Sequence, residues 1–209
     1  MHFDLRQIKN INLDVDPTLL ESLHQYAVQA NKEQATVGKI VNGKYTTEYN
    51  KWCTAEFVNF KEFIDQVDTI RSACQKLISQ EFKVNCLEHE IHFLHYKTGT
   101  KYNPHIDGQY ILDGVAKRGV DRDITAVVYL NDDYIGGEIT FNFFDLKIRP
   151  TSGNVLIYPT TWQFTHGVND VIGDRYAIVF WFKTDPPLNV DSVLPDANTS
   201  RFLQHLISY

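Results

Sequence analysis

The stretch Tyr176-Ala177-Ile178-Val179-Phe180-Trp181-Phe182 is the longest apolar run in the chain. At seven residues it falls far short of the roughly 18 that a membrane-crossing helix needs. Its β-branched and aromatic residues favour extended backbone. A strand points successive side chains to opposite faces, so one that is apolar at every position must be covered on both. The chain therefore has to build a sheet with material on each side.

The second half of the sequence agrees. From Ile91 onward the apolar period is two, and the candidate strands are 90–96, 103–107, 123–131, 137–143, 145–149, 153–158, 163–168 and 174–183. Turn signals such as Asn131-Asp132-Asp133, Gly136-Gly137 and Ile172-Gly173-Asp174 separate them. Strands at this spacing, with no helices between them, predict an antiparallel sandwich or barrel.

The first third reads as helical. Asp16 is a capping residue, and Pro17 suits the first helical position because its missing N–H has no partner there. Leu19, Leu20, Leu23, Tyr26 and Ala27 then recur at helical spacing to about Ala30. Phe57, Phe60, Ile64, Val67, Ile70, Cys74 and Leu77 mark the stripe of a second helix, which needs a large surface to bury it. Residues 36 to 53, with Gly38 and Gly43, are polar and read as a loop or short hairpin. Residues 184 to 200 read as a tail, followed by a short helix from Arg201 to Tyr209. At 209 residues and 24.2 kDa this suits one domain, with a helical support over 1–87, a core over 88–183 and a tail over 184–209.

A formal net charge of −6 and the lack of any long basic run argue against nucleic-acid binding. Three cysteines (Cys53, Cys74 and Cys86) with no CxxC spacing read as reduced thiols. The opening Met1-His2-Phe3-Asp4-Leu5-Arg6 has no apolar core, so no secretory signal and a cytoplasmic location are expected. No membrane partner is expected, and nothing in the sequence specifies an oligomeric state.

His105-Ile106-Asp107 lies at the end of a candidate strand, and residues two apart on a strand share a face. The spacing alone is weak. His166, within another candidate strand, supplies a third ligand. Two imidazoles and one carboxylate leave open positions on a metal, the arrangement used by non-haem Fe(II) to activate O2. Zinc is the competing metal for such a set, although no HExxH helix accompanies it. Arg175 heads the apolar strand, where a buried guanidinium requires an anion. That anion is either a bound carboxylate or an internal partner such as Asp174 or Asp123.

His105-x-Asp107, His166 and Arg175 nine residues later resemble the iron- and 2-oxoglutarate-dependent dioxygenases, and among them the prolyl 4-hydroxylase-like group. Tyr96-Lys97-Thr98-Gly99, Tyr102-Asn103-Pro104-His105, Val128-Tyr129-Leu130-Asn131, Gly136-Gly137-Glu138-Ile139-Thr140-Phe141 and the strand from Arg175 carry the resemblance, over roughly residues 88 to 183. It implies a double-stranded β-helix (jelly-roll, cupin-like) core packed on N-terminal helices. It implies Fe(II) held by His105, Asp107 and His166, with 2-oxoglutarate and O2 as co-substrates and ascorbate as reductant. Arg175 would clamp the far carboxylate of 2-oxoglutarate, helped by Tyr129 and Tyr96. Arg122 and Trp181 resemble positions on the substrate side.

The reaction implied is hydroxylation of a C–H bond, first of all on a prolyl residue of a peptide or protein. The alternatives are a free amino acid or small metabolite, and a non-catalytic binding module on the same fold. The sequence departs from the collagen-type branch, which has lysine where Arg175 stands, and its loop from Tyr96 to His105 is tight. The connection Gly108 to Asp121 is expected to be a flexible segment beside the substrate path.

Overall fold

The computed structural model describes residues 4–41, 44–49 and 53–207. The strand Arg175–Asp185, which contains the apolar run, is the middle member of a seven-stranded sheet. Across that sheet the order is Lys9–Asn12, Asn154–Pro159, Ile124–Tyr129, Arg175–Asp185, Asn85–Tyr96, Glu56–Val58 and Lys32–Gln34, with every pairing antiparallel. A four-stranded minor sheet is ordered Leu146–Ile148, Ile139–Phe141, His166–Val168 and Tyr102–His105. The two sheets form a double-stranded β-helix.

Alternation along the middle strand builds two cores. Tyr176, Ile178, Phe180 and Phe182 meet the helices, namely α1 (Pro17–Gln29) through Leu23 and Ala27, and α2 (Ile64–Phe82) through Val67, Ile70, Cys74 and Ile78. Ala177, Val179 and Trp181 face Ile139 and Phe141 of the minor sheet. This double cover is why the run has no polar position. Asp16 caps α1 by accepting the Thr18 N–H at 2.9 Å, with Pro17 in the first turn. No helix among the described residues is long and apolar enough to cross a membrane.

The second helix differs from its expected stripe. Phe57 lies in the strand Glu56–Val58, where it pairs with Leu94. Phe60 precedes a short 3-10 turn, Lys61–Phe63, and Ile64 is largely exposed. Ile78, rather than Leu77, is the fully buried position of the last turns. The apolar spacing ran across a strand, a turn and a helix because edge pairing with a strand some 35 residues away leaves no local signature. Ile70→Ala is expected to cost about 2–5 kcal/mol, whereas Ile64→Ala stays within about 0.5 kcal/mol. Denaturant midpoints at unchanged slope measure the contrast.

The segment expected to be a flexible connection, Gly108 to Asp121, folds as a hairpin. Gln109–Leu112 pairs with Val115–Arg118 across Asp113-Gly114, whose φ values of 49° and 75° fit a two-residue turn with both residues left-handed. The Asp-Gly dipeptide was the readable signal for it. The supposed tail is also tied down. Ser192–Val193 adds a third strand, and the fully buried Asp123 accepts from Arg118 Nη1 at 2.8 Å, Asn189 N at 2.6 Å and Thr184 N at 2.9 Å.

Residues 36 to 53 contain the hairpin of Thr36–Val41 and Lys44–Tyr49. Gly43 and residues 50–52 lie outside the described residues. The terminal helix α3 starts earlier than expected, at Ala197–Leu206. Residues 208–209 and the opening Met1-His2-Phe3 also lie outside the described residues.

Candidate active site

A cavity of about 490 Å³ opens between the two sheets. Its floor is a pair of neighbouring strands of the major sheet. Tyr96, Leu94, His92 and Glu90 line it from one strand, opposite Arg175, Ala177, Val179 and Trp181 of the other. His105, Asp107 and His166 line it from the minor-sheet side.

These three residues offer ligand atoms that all lie within 4.8 Å of one another. His105 and His166 are direct cross-strand partners, which brings their rings to 4.4 Å between centroids. Asp107 lies beyond the end of Tyr102–His105, in a bend, so strand alternation is not what aims it. Instead Thr125 Oγ1 donates to Asp107 Oδ2 at 2.6 Å, and the Tyr158 hydroxyl stands 3.4 Å from the same oxygen.

The donor set suits a cation. His105 Nδ1 donates to Asn103 O, and His166 Nδ1 donates to Phe164 O, each at 2.9 Å. That leaves both Nε2 atoms as lone-pair donors turned toward the Asp107 carboxylate, at 3.3 and 3.8 Å. Burial pushes the His166 pKa down to about 4, so the ring is neutral at pH 7, as metal ligation requires. Burial alone would raise the Asp107 pKa, but the neighbouring imidazoles and the Thr125 hydroxyl outweigh it and hold the carboxyl far below its usual range. Two lone pairs and a carboxylate converge, and a divalent ion fits among them.

Arg175 sits at the deep end and is 2 % exposed. Its guanidinium carbon lies 4.5 Å from the Tyr96 ring centroid and 5.3 Å from that of Tyr129, with Tyr134 beside it. Neither Asp174 nor Asp123 serves it, because Asp174 accepts from His95 Nε2 at 2.6 Å and Asp123 takes Arg118. The Arg175 Nε and Nη1 atoms have no hydrogen-bond partner among the described residues, and the same holds for the Tyr129 and Tyr134 hydroxyls. Burial pushes the Tyr96 and Tyr129 hydroxyls up, so both stay protonated. Gly137 makes room for this group, since a Cβ there would stand 2.9 Å from the Tyr134 ring and 3.2 Å from Arg175 Cδ. A buried positive charge with spare donors is a receptor for a carboxylate.

At the other end the Arg122 guanidinium carbon lies over Trp181, 4.0 Å from its ring centroid, and the guanidinium is gripped by Glu90. The sequence pointed to Arg122 and Trp181 but missed Glu90, Tyr134, Thr125 and Tyr158. The Tyr158 hydroxyl lies at hydrogen-bond distance, 2.9 Å, from His166 Nε2. Its place in Tyr158-Pro159 at the end of a predicted strand carried no sign of that bond.

Residues 91–183 match the 2OG-Fe(II) oxygenase superfamily. Prolyl 3-hydroxylase 2 of Rattus norvegicus is 38 % identical over a 71-residue alignment that covers 31 % of this chain and 10 % of that protein. The chain thus spans about a tenth of the length of that relative. A PKHD-type hydroxylase of Prochlorococcus marinus (strain NATL1A) is 28 % identical over 173 residues, covering 78 % of this chain and 73 % of that one. Among solved structures, a prolyl hydroxylase from Trichoplax adhaerens, in complex with a hypoxia inducible factor oxygen degradation domain peptide fragment, superposes with a TM-score of 0.63 at 17 % identity. That superposition covers 88 % of this chain and 86 % of the other.

Proposed function

We propose that this chain, whose residues 91–183 match the 2OG-Fe(II) oxygenase superfamily, is a dioxygenase that hydroxylates a C–H bond of a prolyl residue in a peptide or protein. The observation that carries the reading is the pairing, in one cavity, of a converging His105–Asp107–His166 set with a buried guanidinium that has no anionic partner among the described residues. The similarity to prolyl hydroxylases supports proline as the target.

In this reading His105 Nε2, His166 Nε2 and the Asp107 carboxylate hold Fe(II). Bound there, Fe(II) with 2-oxoglutarate and O2 supplies the oxidising chemistry that adds one oxygen atom to the substrate and yields succinate and CO2. The chain's own groups select and orient. Arg175 receives the far carboxylate of 2-oxoglutarate, and the Tyr96 and Tyr129 hydroxyls are neutral donors beside it. Thr125 and Tyr158 keep Asp107 turned toward the two imidazoles. Arg122 and Trp181 form a flat platform for the substrate. The hairpin after Asp107 lines the cavity through Tyr110 and Ile111 and limits entry of water.

The test is a substrate screen on purified protein with Fe(II), ascorbate and 2-oxoglutarate, offering proline-rich peptides and free amino acids. A gain of one oxygen mass on a peptide, matched by succinate, is the expected result. Oxygen gain on a free amino acid alone would move the substrate to that class. A chain that converts no 2-oxoglutarate, with or without substrate, is a binding module and the reading fails.

A further inference from the structure

The two arginines of the cavity differ in one respect. Arg175 has nitrogens without a partner among the described residues, whereas each of the three Arg122 nitrogens already makes a hydrogen bond. Arg122 Nε donates to Glu90 Oε2 at 3.1 Å, Nη2 donates to the same oxygen, and Nη1 reaches Asp107 O at 3.3 Å. The other Glu90 oxygen accepts from His92 Nε2 at 2.8 Å. His92 is itself wedged edge-on between Phe57 and Trp181, at 4.6 and 4.7 Å between centroids. Both oxygens of Glu90 are therefore committed, and its side chain is fixed by packing.

Register explains why this happens at one end only. Tyr96 opposes Arg175, and Glu90 opposes Trp181 three two-residue steps away on the same strands. That is about 20 Å of extended chain. The strand thus presents a hydroxyl to the first guanidinium and a carboxylate to the second.

We infer that Glu90 is a specificity-determining residue: by neutralising Arg122 it closes the Trp181 end of the cavity to carboxylates, so the group that settles on the Arg122–Trp181 platform is uncharged. This rests on the proposed function, and within it the target is a residue joined to its neighbours by amides, not one carrying its own free carboxylate. An anion reaching Arg122 would have to displace a bonded carboxylate or sit beside it, and like charges at hydrogen-bond distance in a partly buried site repel strongly.

The test compares N-acetylproline with N-acetylprolinamide, two probes that differ only in the charge of one group. Binding is measured by titration with 2-oxoglutarate saturating, so that Arg175 is occupied. In the wild type the amide is expected to bind at least about tenfold more tightly than the acid. Glu90→Gln is expected to raise affinity for the acid by about tenfold or more and so to narrow the preference for the amide. Adding Arg122→Gln to that variant should abolish the gain, which assigns it to the freed guanidinium.

Equal affinity of wild type and Glu90→Gln for the acid, undetectable binding in both included, overturns the inference. A wild type that takes the acid as well as the amide overturns it too, whether or not the variant folds. These are binding measurements, so absence of 2-oxoglutarate turnover in the substrate screen would sink the functional reading separately.

Discussion

Asp107→Ala is expected to weaken Fe(II) binding by well over about 100-fold, since even the loss of a group that merely orients a ligand costs about 10- to 100-fold. Turnover should fall below detection with it. The geometry explains the size of the effect. Among the described residues, the Asp107 carboxylate is the negative charge that both imidazole Nε2 atoms approach. Without it, two neutral rings remain, and two neutral nitrogen ligands hold a hard divalent ion poorly.

The fold should survive the change. Asp107 lies in a bend beyond its strand, and its substitution removes an acceptor from two hydroxyls, those of Thr125 and Tyr158. Iron content per chain after anaerobic loading, together with a thermal midpoint, separates the two effects. One iron bound per chain at wild-type affinity would show that these three side chains are not the metal site.

The core of this site could be read before any coordinates because strand pairing joins distant residues in predictable ways. His105 and His166 were nominated from separate predicted strands, and the structure makes them direct cross-strand partners. The unbroken apolar run at Tyr176 required cover on both faces, and helices on one side and the minor sheet on the other provide it.

What escaped the sequence has a common cause. Thr125 and Tyr158 act through hydroxyls that cross from one sheet to the other, and a hydroxyl in a strand looks the same whether it meets backbone or a carboxylate. Glu90 escaped because its partner Arg122 lies 32 residues away. His92, one of several histidines around the same strand, gave no sign of which face it would take. Phe57 was assigned to the wrong element because its pairing with Leu94 is non-local, so apolar spacing alone placed it on the following helix.

Arg175→Met carries the second large expectation, and it has two parts of opposite sign. The guanidinium is buried and permanently charged, and its Nε and Nη1 have no hydrogen-bond acceptor among the described residues. In the ligand-free chain that is a cost, because a buried charge without a partner loses its hydration and regains little. Methionine is of similar length and carries no charge. The substitution should therefore leave the ligand-free thermal midpoint unchanged or raise it.

With 2-oxoglutarate the sign reverses. Losing one partner of a buried ion pair costs about 3–5 kcal/mol, which is roughly two to three and a half powers of ten in affinity. Wild type at a 2-oxoglutarate concentration of about 100 times its Kd gains about 2.7 kcal/mol of stability, and the variant at that concentration should gain almost none. Fe(II) loading should be retained, because Arg175 does not reach the His105–Asp107–His166 set. A midpoint that falls in the ligand-free variant would mean that Arg175 is a structural charge with an internal partner. A midpoint that still rises with 2-oxoglutarate would mean that the diacid binds elsewhere.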